Sequence, residues 1–258
     1  MSSSSAVVIV TGASRGIGLA LATILVKDLN ARIVINGRTA GALDELAASL
    51  NAHRADSCVA VAGDVADRTI AKQLVDTAIQ RYGAIDAVVN NAALLEPVKR
   101  IADVDPGEWA ELMRINIQGP LNLTQLAIPH LRASKGRVVH VSSGAATSPM
   151  VGAGAYSVSK AGLNMFSRVL AAEEPEIVSV AVKPGVVDTA MQVTTRGSSA
   201  QAVLDPATAA RFINLKSSGE ILQPEVPARA LAVVALRAPS SFSGEFFVWN
   251  DERIAALY

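Results

Sequence analysis

Thr11-Gly12-Ala13-Ser14-Arg15-Gly16-Ile17-Gly18 stands directly after the apolar run Ala6-Val-Val-Ile-Val10 and directly before a helical pattern that continues to about Asp28. A β-branched run, a glycine-rich turn and a helix in that order form the opening of a strand–turn–helix unit. Glycines at 12, 16 and 18 allow a tight turn in which backbone N–H groups approach a phosphate, and the helix N-terminus adds partial positive charge. A glycine-rich turn alone is weak evidence. Its place at the first strand-to-helix junction is what gives it meaning.

The same alternation repeats outward from this turn. Strands are expected at 33–35, 59–62, 87–90, 137–142, 178–182 and 245–249, with helices at 40–50, 67–82, 156–173 and 225–237. A long helical stretch is expected from about Pro106 to Ala133, disturbed or broken at Pro120 and Pro129. Strand–helix alternation over the whole length implies an α/β fold. Its mostly parallel, doubly wound sheet of seven strands carries helices on both faces. No linker or repeat divides the chain, so residues 1–258 are read as a single Rossmann-type domain. The stretch 186–219 has little periodicity and reads as a substrate-binding loop region with short helices.

Bulk properties narrow the function classes. Half of the 258 residues are apolar, and 23 basic residues balance 23 acidic ones. A zero net charge gives no footprint for nucleic acid. No apolar run approaches a membrane span, and the N-terminus lacks the pattern of a secretory signal. With one cysteine, Cys58, no internal disulfide is available, which fits a reducing compartment. The expectation is a cytoplasmic protein with a small-molecule substrate and no nucleic-acid or membrane partner.

The end of the second strand bears on the choice of dinucleotide. NAD-binding Rossmann proteins place an acid there for the ribose 2′-hydroxyl. This chain has Asn36-Gly37-Arg38 instead. Arg38 can pair with a 2′-phosphate, and Arg15 in the glycine turn is a second candidate, so NADP(H) is expected.

Tyr156-Ser-Val-Ser-Lys160 opens the helix after the fifth strand, and one helical turn puts Tyr156 and Lys160 on one face. A nearby ammonium favours a phenolate, so Lys160 is expected to lower the Tyr156 pKa and fit it for proton transfer to a carbonyl oxygen. Ser143 lies at the end of the fifth strand, where its hydroxyl can hold that oxygen. Ser142 beside it points to the opposite face if the strand alternation persists.

Over nearly its whole length the chain resembles the short-chain dehydrogenase/reductase family. The resemblance rests on Thr-Gly-x-x-x-Gly-x-Gly at 11–18, Asp64-Val65, Asn90-Asn91-Ala92, Asn116, Ser143, Tyr156, Lys160, Pro184-Gly185 and Thr189, in order and at spacing. It implies a dinucleotide held by Gly12, Ser14, Arg15, Gly16, Ile17 and Gly18, with Asn36 and Arg38 beside them. It places Asp64 and Val65 at the adenine and the stretch from Asn90 at the adenosine ribose. Lys160 would hold the nicotinamide ribose, while Pro184, Val187 and Thr189 would fix the nicotinamide. Ser143, Tyr156, Lys160 and Asn116 would be catalytic, Asn116 through a water that relays protons to Lys160. No metal is called for, and a dimer or tetramer through the long helices is implied. Ala93 replaces the family's usual glycine, a change that matters only if the backbone there needs a positive φ.

Pro184-Gly-Val-Val-Asp-Thr-Ala-Met-Gln192 and Ser243-Gly-Glu-Phe-Phe-Val-Trp-Asn-Asp251 resemble the sepiapterin reductase and benzil reductase branch. That implies reduction of a ketone or 1,2-diketone. Met150 and Val151 are expected to face the substrate, and Asp251 is either a contact to a polar substrate ring or a helix cap. Two other readings stay open: a catalytically silent NADPH-binding sensor or scaffold, and an NADP-dependent alcohol dehydrogenase working in the oxidative direction.

Overall fold

The computed structural model describes residues 5–258. Seven strands form one wholly parallel sheet: β1 (Val7–Val10), β2 (Arg32–Gly37), β3 (Cys58–Ala62), β4 (Ala87–Asn90), β5 (Arg137–Val141), β6 (Val178–Lys183) and β7 (Phe246–Val248). Their spatial order is β3-β2-β1-β4-β5-β6-β7. The order reverses between β1 and β4, and this opens a crevice beyond the carboxyl ends of those strands.

Alternation along each strand divides the core into two layers. Val8 and Val10 of β1, Ile33 and Ile35 of β2, and Val139 and Val141 of β5 pack on one face. There they meet α1 (Gly16–Lys27) and α10 (Glu225–Arg237). Val7, Ile9, Val34, Val88 and Val138 face the other way. They pack against α3 (Arg68–Tyr82) and α5 (Gly119–Ser134). Ile9 is completely buried, and truncating such a side chain to alanine costs about 2–5 kcal/mol. The remaining long helices are α2 (Ala40–His53), α4 (Pro106–Met113) and α6 (Gly154–Glu173).

The helix expected over 106–133 is in fact two helices joined by a π-turn, Arg114–Gln118, between α4 and α5. Its closing bond runs from Gly119 N–H to the Arg114 carbonyl, one residue longer than an α-helical bond. Pro120 sits in the first turn of α5, where its missing N–H is harmless, and Pro129 lies inside α5 without ending it. The break therefore falls ahead of the prolines, at the turn that carries Asn116. Such turns recur at functional sites.

The stretch 186–219 folds as three helices: α7 (Ala190–Arg196), α8 (Ser198–Gln201) and α9 (Pro206–Ser217). Ala200, Leu204, Ala209 and Phe212 bury themselves against Val98, Met150 and Val186. Asp188 ties this wall together by accepting from Arg196 of α7 at 3.4 Å and Lys216 of α9 at 2.5 Å. The chain ends in α11 (Glu252–Ala255), which Asp251 caps by accepting from Arg253 N–H. Asp251 is thus a helix cap, and it does not line the large cavity at the strand ends. No described helix is long and apolar enough to cross a membrane.

Candidate active site

A cavity of about 710 Å³ occupies the crevice at the switch point. The glycine turn forms its floor at one end. Gly12 has φ +68°, and a Cβ there would lie 2.9 Å from the Ala92 Cα. α1 starts at Gly16 with no side-chain cap on its N-terminus and no acid in its first turn. Its leading N–H groups are therefore open to an anionic ligand in the cavity. Ser14, Arg15, Gly16 and Ile17 line the cavity as expected. Gly18 does not. A Cβ there would sit 2.2 Å from the Gly12 carbonyl oxygen, so Gly18 exists to let helix and turn touch.

Two motif residues, Thr11 and Asn91, brace this turn through contacts that the sequence did not show. The Thr11 hydroxyl accepts from Asn91 N–H at 3.0 Å and Ala92 N–H at 3.1 Å. The Asn91 amide donates back to the Thr11 and Gly12 carbonyls at 2.9 and 3.1 Å. Asn91, Ala92 and Ala93 line the cavity, while Asn90, expected there, is buried beneath them. Its amide donates to Thr124 at 3.2 Å and faces His140 Nδ1 at 3.3 Å. Asn90 is the last residue of β4 and points into the core. Ala93 has no positive φ, so its extra methyl is accommodated.

At the β2 end, Asn36, Gly37 and Arg38 line the cavity, with Asp64 and Val65 opposite. The Asn36 amide donates to the Val61 and Gly63 carbonyls and fixes the ends of β2 and β3. Asp64 accepts from Ala66 N–H at 2.9 Å and from Arg114 Nη2 at 2.6 Å. Burial alone would raise the Asp64 pKa, but the Ala66 amide and the Arg114 guanidinium outweigh it and hold the group below its ordinary value. Nothing in the sequence marked Arg114 as the partner of Asp64, since the two lie 50 residues apart.

At the other end Ser143, Tyr156 and Lys160 converge, with Pro184, Val187 and Thr189 across from them. The expected opposition of the two serines holds. The Ser142 hydroxyl donates to Asn164 Oδ1 at 2.6 Å and is buried, whereas the Ser143 hydroxyl stands beside Tyr156. Lys160 Nζ donates to the Val141 carbonyl at 2.7 Å and lies 5.6 Å from the centre of the Tyr156 ring. Burial raises the Tyr156 pKa, and the Ser143 hydrogen bond offsets part of the rise. Burial also lowers Lys160 to about 8. Burial is thus the larger influence on both groups, and it acts against the lowering of the phenol pKa expected from Lys160.

Asn116 is buried outside the cavity lining. Its carboxamide accepts from Leu94 N–H and donates to the Leu94 carbonyl, both at 2.8 Å, and donates to Ser159 Oγ at 3.0 Å. The side chain fastens the π-turn to the loop after β4 and to α6. Met150 lines the substrate end together with Leu94, Leu95, Met191 and Phe212, but Val151 does not.

The likeness to known proteins agrees with this geometry. Residues 6–199 match the family model for short chain dehydrogenase. An uncharacterized oxidoreductase of Schizosaccharomyces pombe is 41% identical, covering 95% of this chain and 96% of that protein. Benzil reductase ((S)-benzoin forming) IRC24 of Saccharomyces cerevisiae is 37% identical, covering 97% and 98% of the two chains. The crystal structure of YIR035C, a short chain dehydrogenase/reductase from Saccharomyces cerevisiae, superposes with a TM-score of 0.93 at 35% identity, covering 98% and 99%. The seven-stranded parallel sheet, the glycine turn at its switch point and the Ser143, Tyr156 and Lys160 cluster accompany a sequence match over most of the chain, which therefore belongs to the short-chain dehydrogenase family of oxidoreductases.

Proposed function

We propose that this oxidoreductase is an NADPH-dependent reductase of ketones or 1,2-diketones, with Tyr156 as the general acid. The carrying observation is a buried phenol, its pKa raised by burial, beside the Ser143 hydroxyl, at one end of a cavity whose other end is the uncapped N-terminus of α1. The benzil reductase relative supports the substrate class.

The residues present fit a nicotinamide dinucleotide. The uncapped first turn of α1 and the Gly12 backbone would take the pyrophosphate. Arg38 and Arg15, both exposed at the cavity rim, would take a 2′-phosphate, and Ser14 lies close by against Gly37. Asp64, held ionised by Ala66 and Arg114, would accept from the adenine amino group. Pro184, Val187 and Thr189 would hold the nicotinamide. When bound, that group supplies the reducing equivalent to the carbonyl carbon.

The chain's own residues handle the oxygen and its proton. Ser143 donates a hydrogen bond to the carbonyl oxygen, and Tyr156 gives up its proton to the same oxygen as negative charge develops there. Lys160 holds positive charge next to the phenolate that results. Asn116 acts by positioning, since its amide locks Leu94 and Ser159 around the catalytic helix. An oligomer through the long helices fits an exposed apolar stripe on α6 formed by Val158, Met165 and Val169. The experiment is NADPH consumption with benzil and related diketones. Turnover is expected. Tight NADPH binding without turnover of any carbonyl would favour the silent sensor.

A further inference from the structure

Six charged side chains line the cavity, and five are cationic: Arg15, Arg38, Lys160, Lys183 and Arg211, against Asp64. Asp64 is at the adenosine end and already paired with Arg114. Arg15 and Arg38 flank the glycine turn. Lys160 is committed to the Val141 carbonyl. Two cations therefore remain at the catalytic end, and no acid lines that end among the described residues.

Arg211 stands on α9, in the wall built by residues 186–219. The other cations of this wall are occupied, since Arg196 and Lys216 both pair with Asp188. Arg211 instead lines the cavity, with Thr208 one turn before it and Phe212 after it. Among the described residues its guanidinium has no hydrogen bond or ion pair. Met150 packs both against the cluster that holds Phe212 and against the one that holds Tyr156, so Arg211 borders the same pocket as Tyr156. Lys183 ends β6 from the other side. Its side chain lies on Gly144, the residue after Ser143, with Cε 3.2 Å from where a Cβ would be. It too is unpaired. Two unpaired cations against a pocket of Leu94, Leu95, Met150, Met191 and Phe212 give that pocket a positive potential that its apolar walls screen poorly.

We propose that the substrate carries a carboxylate away from its reacting carbonyl, and that Arg211 binds it through the planar guanidinium fork, with Lys183 adding to the positive field. This rests on the reductase reading and adds to it, since benzil has no charge. Arg211 is then the specificity residue of the wall built by residues 186–219.

The test uses benzil, 4-carboxybenzil and the methyl ester of 4-carboxybenzil, in turnover with NADPH and in binding to NADP⁺-loaded protein. The acid should have a KM and a Kd about tenfold below those of the ester. Arg211→Gln should erase that difference while leaving benzil turnover and the KM for NADPH unchanged, and Arg211→Lys should restore part of it. The preference should weaken with added salt. Equal handling of acid and ester by the unmodified protein, or a preference that survives Arg211→Gln, overturns the proposal. If no compound is turned over but the acid still binds more tightly through Arg211, the charge recognition stands and the reductase reading fails. If benzil is reduced and acid and ester are equivalent, the reverse holds.

Discussion

Lys160 Nζ donates a 2.7 Å hydrogen bond to the Val141 carbonyl oxygen, so a buried cation pins α6 to the end of β5. Burial brings its pKa down to about 8, from 10.5 for a free lysine. The cation therefore persists below about pH 8 and is lost above it. Reduction should hold a plateau on the acid side and fall as pH rises through about 8, read as kcat/KM for a diketone. Lys160→Met should lose the inflection and about two or more orders of magnitude in rate. An unchanged inflection in that variant would assign the titration to another group.

Arg38→Ala should weaken NADPH binding by about ten- to a hundredfold, the worth of a lost charge-assisted pair, and leave NADH nearly unaffected. Titration of cofactor fluorescence reads both. Equal losses for the two cofactors would mean that Arg38 does not meet the 2′-phosphate.

Gly18→Ala should destabilise the fold without altering any residue that lines the cavity, because the new methyl would be placed 2.2 Å from the Gly12 carbonyl. Such overpacking costs about 1–3 kcal/mol, and each kcal/mol lowers Tm by about 2–4 °C in a chain of this size. A thermal melt checks it, and an unchanged Tm would show that turn and helix can move apart freely.

His140 gives the protein an acid-sensitive core. It is fully buried, and burial first, then the Lys160 charge, depresses its pKa from 6.5 to about 3. The unfolded chain takes up this proton near pH 6.5, and the folded chain does so only near 3. Stability is therefore complete above 6.5 and falls as pH drops through that window, on the order of 1.4 kcal/mol per pH unit. Urea unfolding at pH 7 and pH 5 measures the loss. His140→Asn should flatten the dependence, and an equal slope in that variant would place the sensitivity elsewhere.

Much of this architecture was legible in the chain because it is periodic. β-Branched runs such as Val7–Val10 and Val178–Val182 alternate with helical spacing, and that pattern suffices for a parallel sheet with its site at the strand ends. Strand alternation indicates that Ser142 and Ser143 face opposite ways, while the choice of Ser143 rests on the family's spacing. Asn90 and Asn91 are chemically alike, and only the register of β4 shows that the Asn90 side chain points into the core while Asn91 lines the cavity. Gly18 looked like a ligand contact because a packing glycine and a binding glycine are the same residue. Asp64–Arg114, Thr11–Asn91 and the free Arg211 depend on which distant segments meet, and no local pattern carries that information. The burial that raises the Tyr156 pKa and lowers that of Lys160 was not legible, because spacing shows proximity but not burial.

The central claim is that the buried Tyr156 hydroxyl delivers the proton. Tyr156→Phe removes that single oxygen and leaves the ring in place. The most direct measurement is NADPH consumption with benzil by this variant, set beside its affinity for NADPH. The account predicts a rate at least about a hundredfold lower with cofactor affinity nearly intact. Near-normal turnover with the cofactor bound as tightly as before would contradict it.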